Sequence, residues 1–526
     1  MADDRHYDVV VIGTGAGGGT LGHRLATSGK RILWLERGPF LPRELENWDS
    51  GAVFVRGRYL TSEQWYNGQD DEFQPEVNYY VGGNTKFYGA ALFRLRPQDF
   101  GEIVHHGGIS PAWPIDYTDL EPYYLQAEHL YKVHGAHGED PTAGPSSGDY
   151  AYPPVAHEPR IQQLSDDLEQ VGLHPFHLPI GVDLVEDTPG QATRTSACIR
   201  CSKVDGFPCL IKAKSDAEVI CVDPVIDRDN VTLLTEANVR RLETDSTGRT
   251  VTRVVTELAD GELVSFSGDI VVVSCGAANS AALLLRSASD SHPDGLANNS
   301  DVVGRHYMRH NNLALMGVSH EPNPTRFQKT LAINDWNLGA DDWDYPLGGM
   351  QMLGKSDDLM IHAQAPRWAG KLSPDLPFEV MAHHAVDFWL CGEDLPLADS
   401  RVTLDKDGAV RLSIDEKNNM EGVKRLRHKL QGTLGDLGLQ SHHLLDHSLY
   451  LHKTMPIGAT AHQAGTVRFG TDPASSALDP LCKAHDLDNL YVVDTSFFPS
   501  IGAVNPSLTA MANALRVADH LVERLG

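Results

Sequence analysis

Residues 7–38 read YDVVVIGTGAGGGTLGHRLATSGKRILWLERG, and no other stretch restricts the fold as tightly. Val9 to Ile12 is an uninterrupted apolar run, the pattern of a strand buried on both faces. Gly13, Gly15 and Gly18 then satisfy GxGxxG, with Ala16 at the start of the following helix. In such a unit Gly13 makes the tight turn and Gly15 lets a pyrophosphate reach the backbone, while Gly18 lets the helix close on the sheet. The second strand, RILWLERG, ends at Glu36 and Arg37, roughly 20 residues beyond the turn, where an acid binds a ribose hydroxyl. The spacing predicts a bound dinucleotide with its phosphates on the helix N-terminus, and leaves FAD and NAD as alternatives.

A chain of 526 residues exceeds what one core supports, so two or more domains are expected. The formal net charge of −27 repels phosphate backbones and anionic lipid, which argues against nucleic-acid and membrane partners. The start MADDRHYDVVVIG runs straight into a strand without a basic segment or cleavage site, which predicts a cytoplasmic protein. No apolar run approaches the roughly 18–20 residues of a bilayer span. Cys198, Cys201 and Cys209 have CxxC-x7-C spacing, with Cys221 beyond. Metal sites prefer paired CxxC units or closer Cys/His pairs, so an ordinary reduced loop or a weak redox pair is expected and no metal site is read.

Four further segments follow in a fixed order: VGGNTKFYGAALFRLRPQDF (81–100), AKSDAEVICVDPVIDRDNVTLLTEANVRRLE (213–243), IVVVSCGAANSAALLLRSAS (270–289) and the block from His462 to Leu521. With the N-terminal unit they resemble the GMC (glucose–methanol–choline) oxidoreductases over about half of the chain. WPIDYTDLEPYYLQAEHLYKVHG and the pair HQAGT…NPSLTAM resemble the pyranose oxidase branch and its bacterial glycoside 3-oxidase relatives.

The resemblance implies an α/β fold: a Rossmann-like FAD-binding domain with a second, substrate domain on a mainly antiparallel sheet with helices. The FAD domain would comprise residues 1–110, 190–310 and 456–526; the substrate domain would comprise 111–189 and 311–455. It implies that Gly82, Gly83 and Asn84 approach the flavin ring, that Val239 reaches the adenine, and that Gly276 makes a second turn. Asp494 would lie near the ribityl chain, with Asn505 and Pro506 beside the ring. Fungal pyranose oxidases carry a flavin-linked histidine in the glycine loop; Phe87 stands there in this chain, so FAD is expected to be non-covalent.

The implied reaction is oxidation of a secondary hydroxyl, at C2 or C3, of a pyranose sugar or glycoside to a ketone. Hydride would pass to flavin N5 and electrons to oxygen or a quinone. A dehydrogenase of another alcohol with a quinone or cytochrome partner, and a non-redox flavin-containing lyase, are the competing readings. His462, set among Ala461, Ala464 and Gly465 with no second histidine at metal spacing, is the implied base. Its reference pKa near 6.5 suits neutral pH, which predicts a rate that rises with pH through neutrality. Asn505 is the implied hydrogen-bonding partner of the reacting oxygen, and Asn-Pro also reads as the N-cap and first residue of a helix.

Outside these blocks, Thr118–Glu121 fits a capping box before Leu120, Tyr124, Ala127 and Tyr131 at helical spacing. SRVTLDKDGAVRLSID reads as two strands about an Asp-Gly turn, and EKNNMEGVKRLRHKLQGTLGDLGL as an amphipathic helix. MAHHAVDFW alternates like a strand, so His383 and His384 are assigned to the pocket or the sheet. Gln351 is assigned to a sugar hydroxyl, while His306 and His310 have no informative context.

Overall fold

The structure is a computed structural model that describes residues 5–319, 321–364, 378–437, 451–459 and 461–526. Two sheets organise it. In the first, His6–Ile12 lies between Ile32–Leu35 and Leu263–Val273, parallel to both, with Val9 opposite Ile32 on one side and Ile270 on the other. That central place explains the unbroken apolar run: Val9, Val10 and Val11 are fully buried. Val231–Leu234 adds a parallel strand beyond Ile32–Leu35, and Leu490–Val492 adds one beside Leu263–Val273. Leu263–Val273 is long enough to serve twice. Its first residues pair antiparallel with Val251–Glu257, which pairs in turn with Asn238–Thr244.

The helices Ala16–Leu25 and Ser507–Leu525 pack against one another in the main core. Ala512, Leu515, Ala518 and Leu521 form the buried stripe of the latter. The anticipated helix 117–130 also forms, with Leu120, Tyr124, Ala127 and Tyr131 buried. Its capping box uses Asp116 and Asp119 rather than Thr118 and Glu121, because the chain is already helical at Tyr117.

The second sheet is antiparallel, in the order Leu451–Thr454, Asn311–Val318, Ala385–Gly392, Gly349–Met352, Leu331–Ile333, Phe176–His177. Alternation decides its two faces. Leu313, Leu315, Met350, Met352, Phe388 and Leu390 pack on one face against Leu426, Leu430 and Leu434 of the helix Met420–Asp436. Asn312, Ala314, Gln351, Asp387 and Trp389 take the other. Arg401–Leu404 and Val410–Ser413 are the expected hairpin.

MAHHAVDFW divides. Phe378–His384 is helical, and the strand begins only at Ala385. The two histidines therefore close a helix. No helix among the described residues is long and apolar enough to cross a membrane. All seven cysteines are free thiols.

Candidate active site

The C-terminal ends of the first sheet face the side of the second that carries Asn312, Gln351 and Trp389, across a cavity of about 1510 Å³. Ile12, Leu35, Glu36, Ser274 and Asp494 bound it from the first sheet; Asn312, Ala314, Gln351 and Trp389 bound it from the second. A crevice beyond the carboxyl ends of parallel strands is where such folds take ligands.

The first-sheet side fits a dinucleotide. Gly13 sits at φ +98°, and a Cβ there would lie 2.2 Å from the Ser274 carbonyl oxygen, so only glycine makes this turn. Gly15 borders the cavity, and an added Cβ would meet nothing within 4 Å; its bare face admits a ligand. The helix from Ala16 has no side-chain cap and no acidic residue in its first turn, which leaves its amides free for an anion. The side-chain oxygens of Asn78 and Ser274 are buried without a protein partner, and both residues line the same space.

Glu36 is buried at the strand end. Its Oε2 accepts from Thr14 N at 3.0 Å and its Oε1 from Gly38 N at 3.0 Å, while burial holds its pKa above the usual carboxylate range. Arg37, Gly83, Asn84, Val239, Gly276 and Pro506 also line the cavity. Gly82 and Gly18 stand one layer back. Gly82 N donates to Thr14 Oγ1 at 3.0 Å, and a Cβ on Gly18 would lie 2.2 Å from Gly13 O. Asp494 lines the wall and accepts from Gly276 N at 3.0 Å and Ser496 N at 2.9 Å; burial raises its pKa. Phe87 lines the cavity against the rings of Tyr59 and Tyr80, both at 6.1 Å.

His462 and Asn505 border the same space. Asn505 is not the helix cap: Pro506 holds that position, with no side-chain cap. The Asn505 Oδ1 instead accepts from Gln351 Nε2 at 2.6 Å. With the two amides so oriented, the Asn505 Nδ2–H group is not used in that bond. His462 Nδ1 lies 2.8 Å from Nδ1 of His310, a residue the sequence left without a role. The His310 Nε2 is 3.1 Å from Gly502 O. The pairing spans 152 positions of chain, and no local spacing announces it. Burial, and secondarily Lys329, lowers the His462 pKa to about 4. Burial, then His462, lowers that of His310 well below the ordinary value. The expectation of a histidine titrating near neutrality is thereby corrected, since a desolvated imidazole resists taking a charge.

His383 and His384 do not reach the cavity wall. His383 is exposed, and His384 Nδ1 bonds Ser319 O at 3.1 Å.

Comparison with known proteins agrees with this architecture. Family models described as GMC oxidoreductase match residues 180–312 and 338–514. The chain is 31% identical to the 6'''-hydroxyparomomycin C oxidase of Streptomyces lividus, covering 98% of this chain and 92% of that protein. It is also 31% identical to the paromamine 6'-oxidase of Streptomyces fradiae, covering 99% and 93%. The solved pyridoxine 4-oxidase from Mesorbium loti superposes with a TM-score of 0.65 over 98% of each chain at 18% identity, a likeness of fold. A strand–glycine–helix unit, a cavity between two sheets and family matches across most of the length lead to one conclusion: the chain belongs to the GMC oxidoreductases.

Proposed function

We propose that the protein is an FAD-dependent enzyme that oxidises a hydroxyl of a pyranose sugar or glycoside, with His462 as the base. The observation that carries this reading is the contact of His462 with His310, from which the tautomer of His462 is inferred. His310 Nε2–H donates to Gly502 O, so His310 Nδ1 is an acceptor, and the proton between the two rings belongs to His462 Nδ1. The other nitrogen, Nε2, then carries a lone pair. A hydroxyl proton taken there leaves an imidazolium whose Nδ1–H stays bonded to His310. The Asn505 Nδ2–H group donates to the same reacting oxygen as charge builds on it. FAD, when bound, supplies the hydride acceptor.

The floor of the cavity supports a sugar. Cross-strand register sets Ala314, Trp389 and Gln351 in one row. Trp389, partly exposed, offers a flat apolar surface beside a small neighbour. Asn312 Oδ1 and Gln351 Oε1 are buried acceptors without a protein partner, placed to receive hydroxyl donors. On this reading residues 1–110, 190–310 and 456–526 hold FAD without a covalent link, because Phe87 cannot form one. Residues 111–189 and 311–455 form the substrate side, and electrons leave to oxygen or a quinone. Oxidation at ring C2 or C3 is the first reading of position. The names of the two 31% identical relatives favour a second, the 6-hydroxyl of an aminosugar.

Anaerobic mixing with glucose, methyl glucosides and aminosugars tests the proposal, followed by NMR of the carbonyl product. A sugar should bleach the bound flavin, and His462→Ala should slow bleaching at least about a hundredfold, the scale of a lost general base. No bleaching by any alcohol would favour the lyase reading. Near-parent bleaching of His462→Ala would place the base elsewhere.

A further inference from the structure

Behind the catalytic wall three potential metal donors converge from distant parts of the chain. One ring nitrogen from each of His310 and His462 and the Cys391 sulfur lie within 4.8 Å of one another, and the two Nδ1 atoms are 2.8 Å apart. His310 and Cys391 are 1% and 2% exposed, and His462 borders the cavity. Cys391 is carried by the strand Ala385–Gly392, opposite Asn312 on one neighbouring strand and Gly349 on the other.

We propose that His310, Cys391 and His462 form an inhibitory site for one zinc ion, or another divalent cation of similar softness. Two imidazoles and a thiolate are a zinc donor set, and three protein ligands leave one position open to water. Zinc–nitrogen bonds of about 2.0–2.1 Å set tetrahedral nitrogens roughly 3.3 Å apart. The two Nδ1 atoms, 2.8 Å apart, therefore need to part by only about 0.5 Å. The second shell is already in place: His310 keeps its Nε2–H on Gly502 O, which leaves Nδ1 as the ligand atom.

Inhibition follows from proton bookkeeping. In the free protein His462 carries its proton on Nδ1 and is basic at Nε2. Zinc bound to Nδ1 displaces that proton to Nε2, and Nε2 ceases to be a base. The Cys391 thiol loses its proton to solvent as the Zn–S bond forms. One proton is released per zinc bound, and no oxidation state changes. The inhibitory effect rests on His462 being the base; binding at the site does not.

The holoenzyme is dialysed against zinc chloride, its bound metal counted, and its anaerobic bleaching by the best sugar measured at the same zinc concentrations. Parent protein should hold one tight equivalent that Cys391→Ser and Cys391→Ala lack. Bleaching should be lost as that equivalent fills. In both variants, which keep FAD and zinc-free bleaching rates close to the parent's, inhibition should need at least about tenfold more zinc. Equal zinc content and equal inhibition in parent and both variants would overturn the site. A Cys391-dependent equivalent that leaves bleaching unaffected would uphold the site and overturn both the inhibition and the assignment of His462 as the base.

Discussion

The Nδ1 atoms of His310 and His462 lie 2.8 Å apart, with the two rings almost perpendicular at 87°. Nitrogens that close must share one proton. The second bond of His310, to Gly502 O, settles which ring owns it. On the proposed reading of His462 as the base, His310 is a positioning residue that acts through the tautomer of its neighbour. Replacing it with Gln retains an amide oxygen for His462 and an amide N–H for Gly502; Leu retains neither. His310→Leu should bleach with sugar at least about a hundredfold more slowly, and His310→Gln should recover most of that loss. Equal rates in the two variants, measured by stopped flow, would reduce His310 to packing.

The lowered histidine pKa values set the acid behaviour. His462, held near 4, stays neutral and basic through pH 6–8, so bleaching should be flat there and fall only as pH approaches about 4. Stability follows the same sign. Between the ordinary value of 6.5 and about 4 the unfolded chain binds protons that the folded His462 and His310 refuse. The folded state therefore loses stability as pH falls through that window. Melting temperatures across pH 4.5–7.5 and stopped-flow rates check both statements; a bleaching rate that halves near pH 6.5 would show a solvated imidazole.

Asn505 separates capping from chemistry. Pro506 holds the cap position and no side chain caps the helix Ser507–Leu525. Asn505→Ala and Asn505→Ser should accordingly melt together, whereas a true cap would favour Ser by about 1 kcal/mol. Both should bleach about a hundredfold more slowly through loss of the amide donor. Thermal melts and anaerobic kinetics on the same preparations distinguish the two roles.

The Glu36 carboxylate receives both Thr14 N and Gly38 N, so it holds the glycine turn, and on the proposed reading it also receives a ribose hydroxyl. Titration of the apoprotein should find FAD bound roughly ten- to a hundredfold more weakly by Glu36→Ala, the effect of losing one charged acceptor. On the proposed reading of non-covalent FAD, acid precipitation of the parent should release all its flavin; flavin retained in the pellet would contradict that reading.

The N-terminal unit was legible in the sequence because its determinants are local. Val9–Ile12 needs only a buried run, Gly13 only a backbone that accepts φ +98°, and Glu36 only its distance from the turn. The helix 420–436 and the hairpin around Asp407-Gly408 declare themselves in the same way, by period and by turn chemistry. Where two local rules competed, reading the sequence misled. Asn505-Pro506 has the form of a cap, yet a 2.6 Å bond to Gln351 on another sheet takes the Asn505 side chain. MAHHAVDFW alternates, yet its first four residues complete a helix. His310 carried no signal at all. Its role depends on a strand of the second sheet bringing it to His462 and on Gly502 fixing its proton. Tertiary structure alone decides that contact, because the energy that orients a buried imidazole comes from partners far along the chain, and no short-range pattern encodes them.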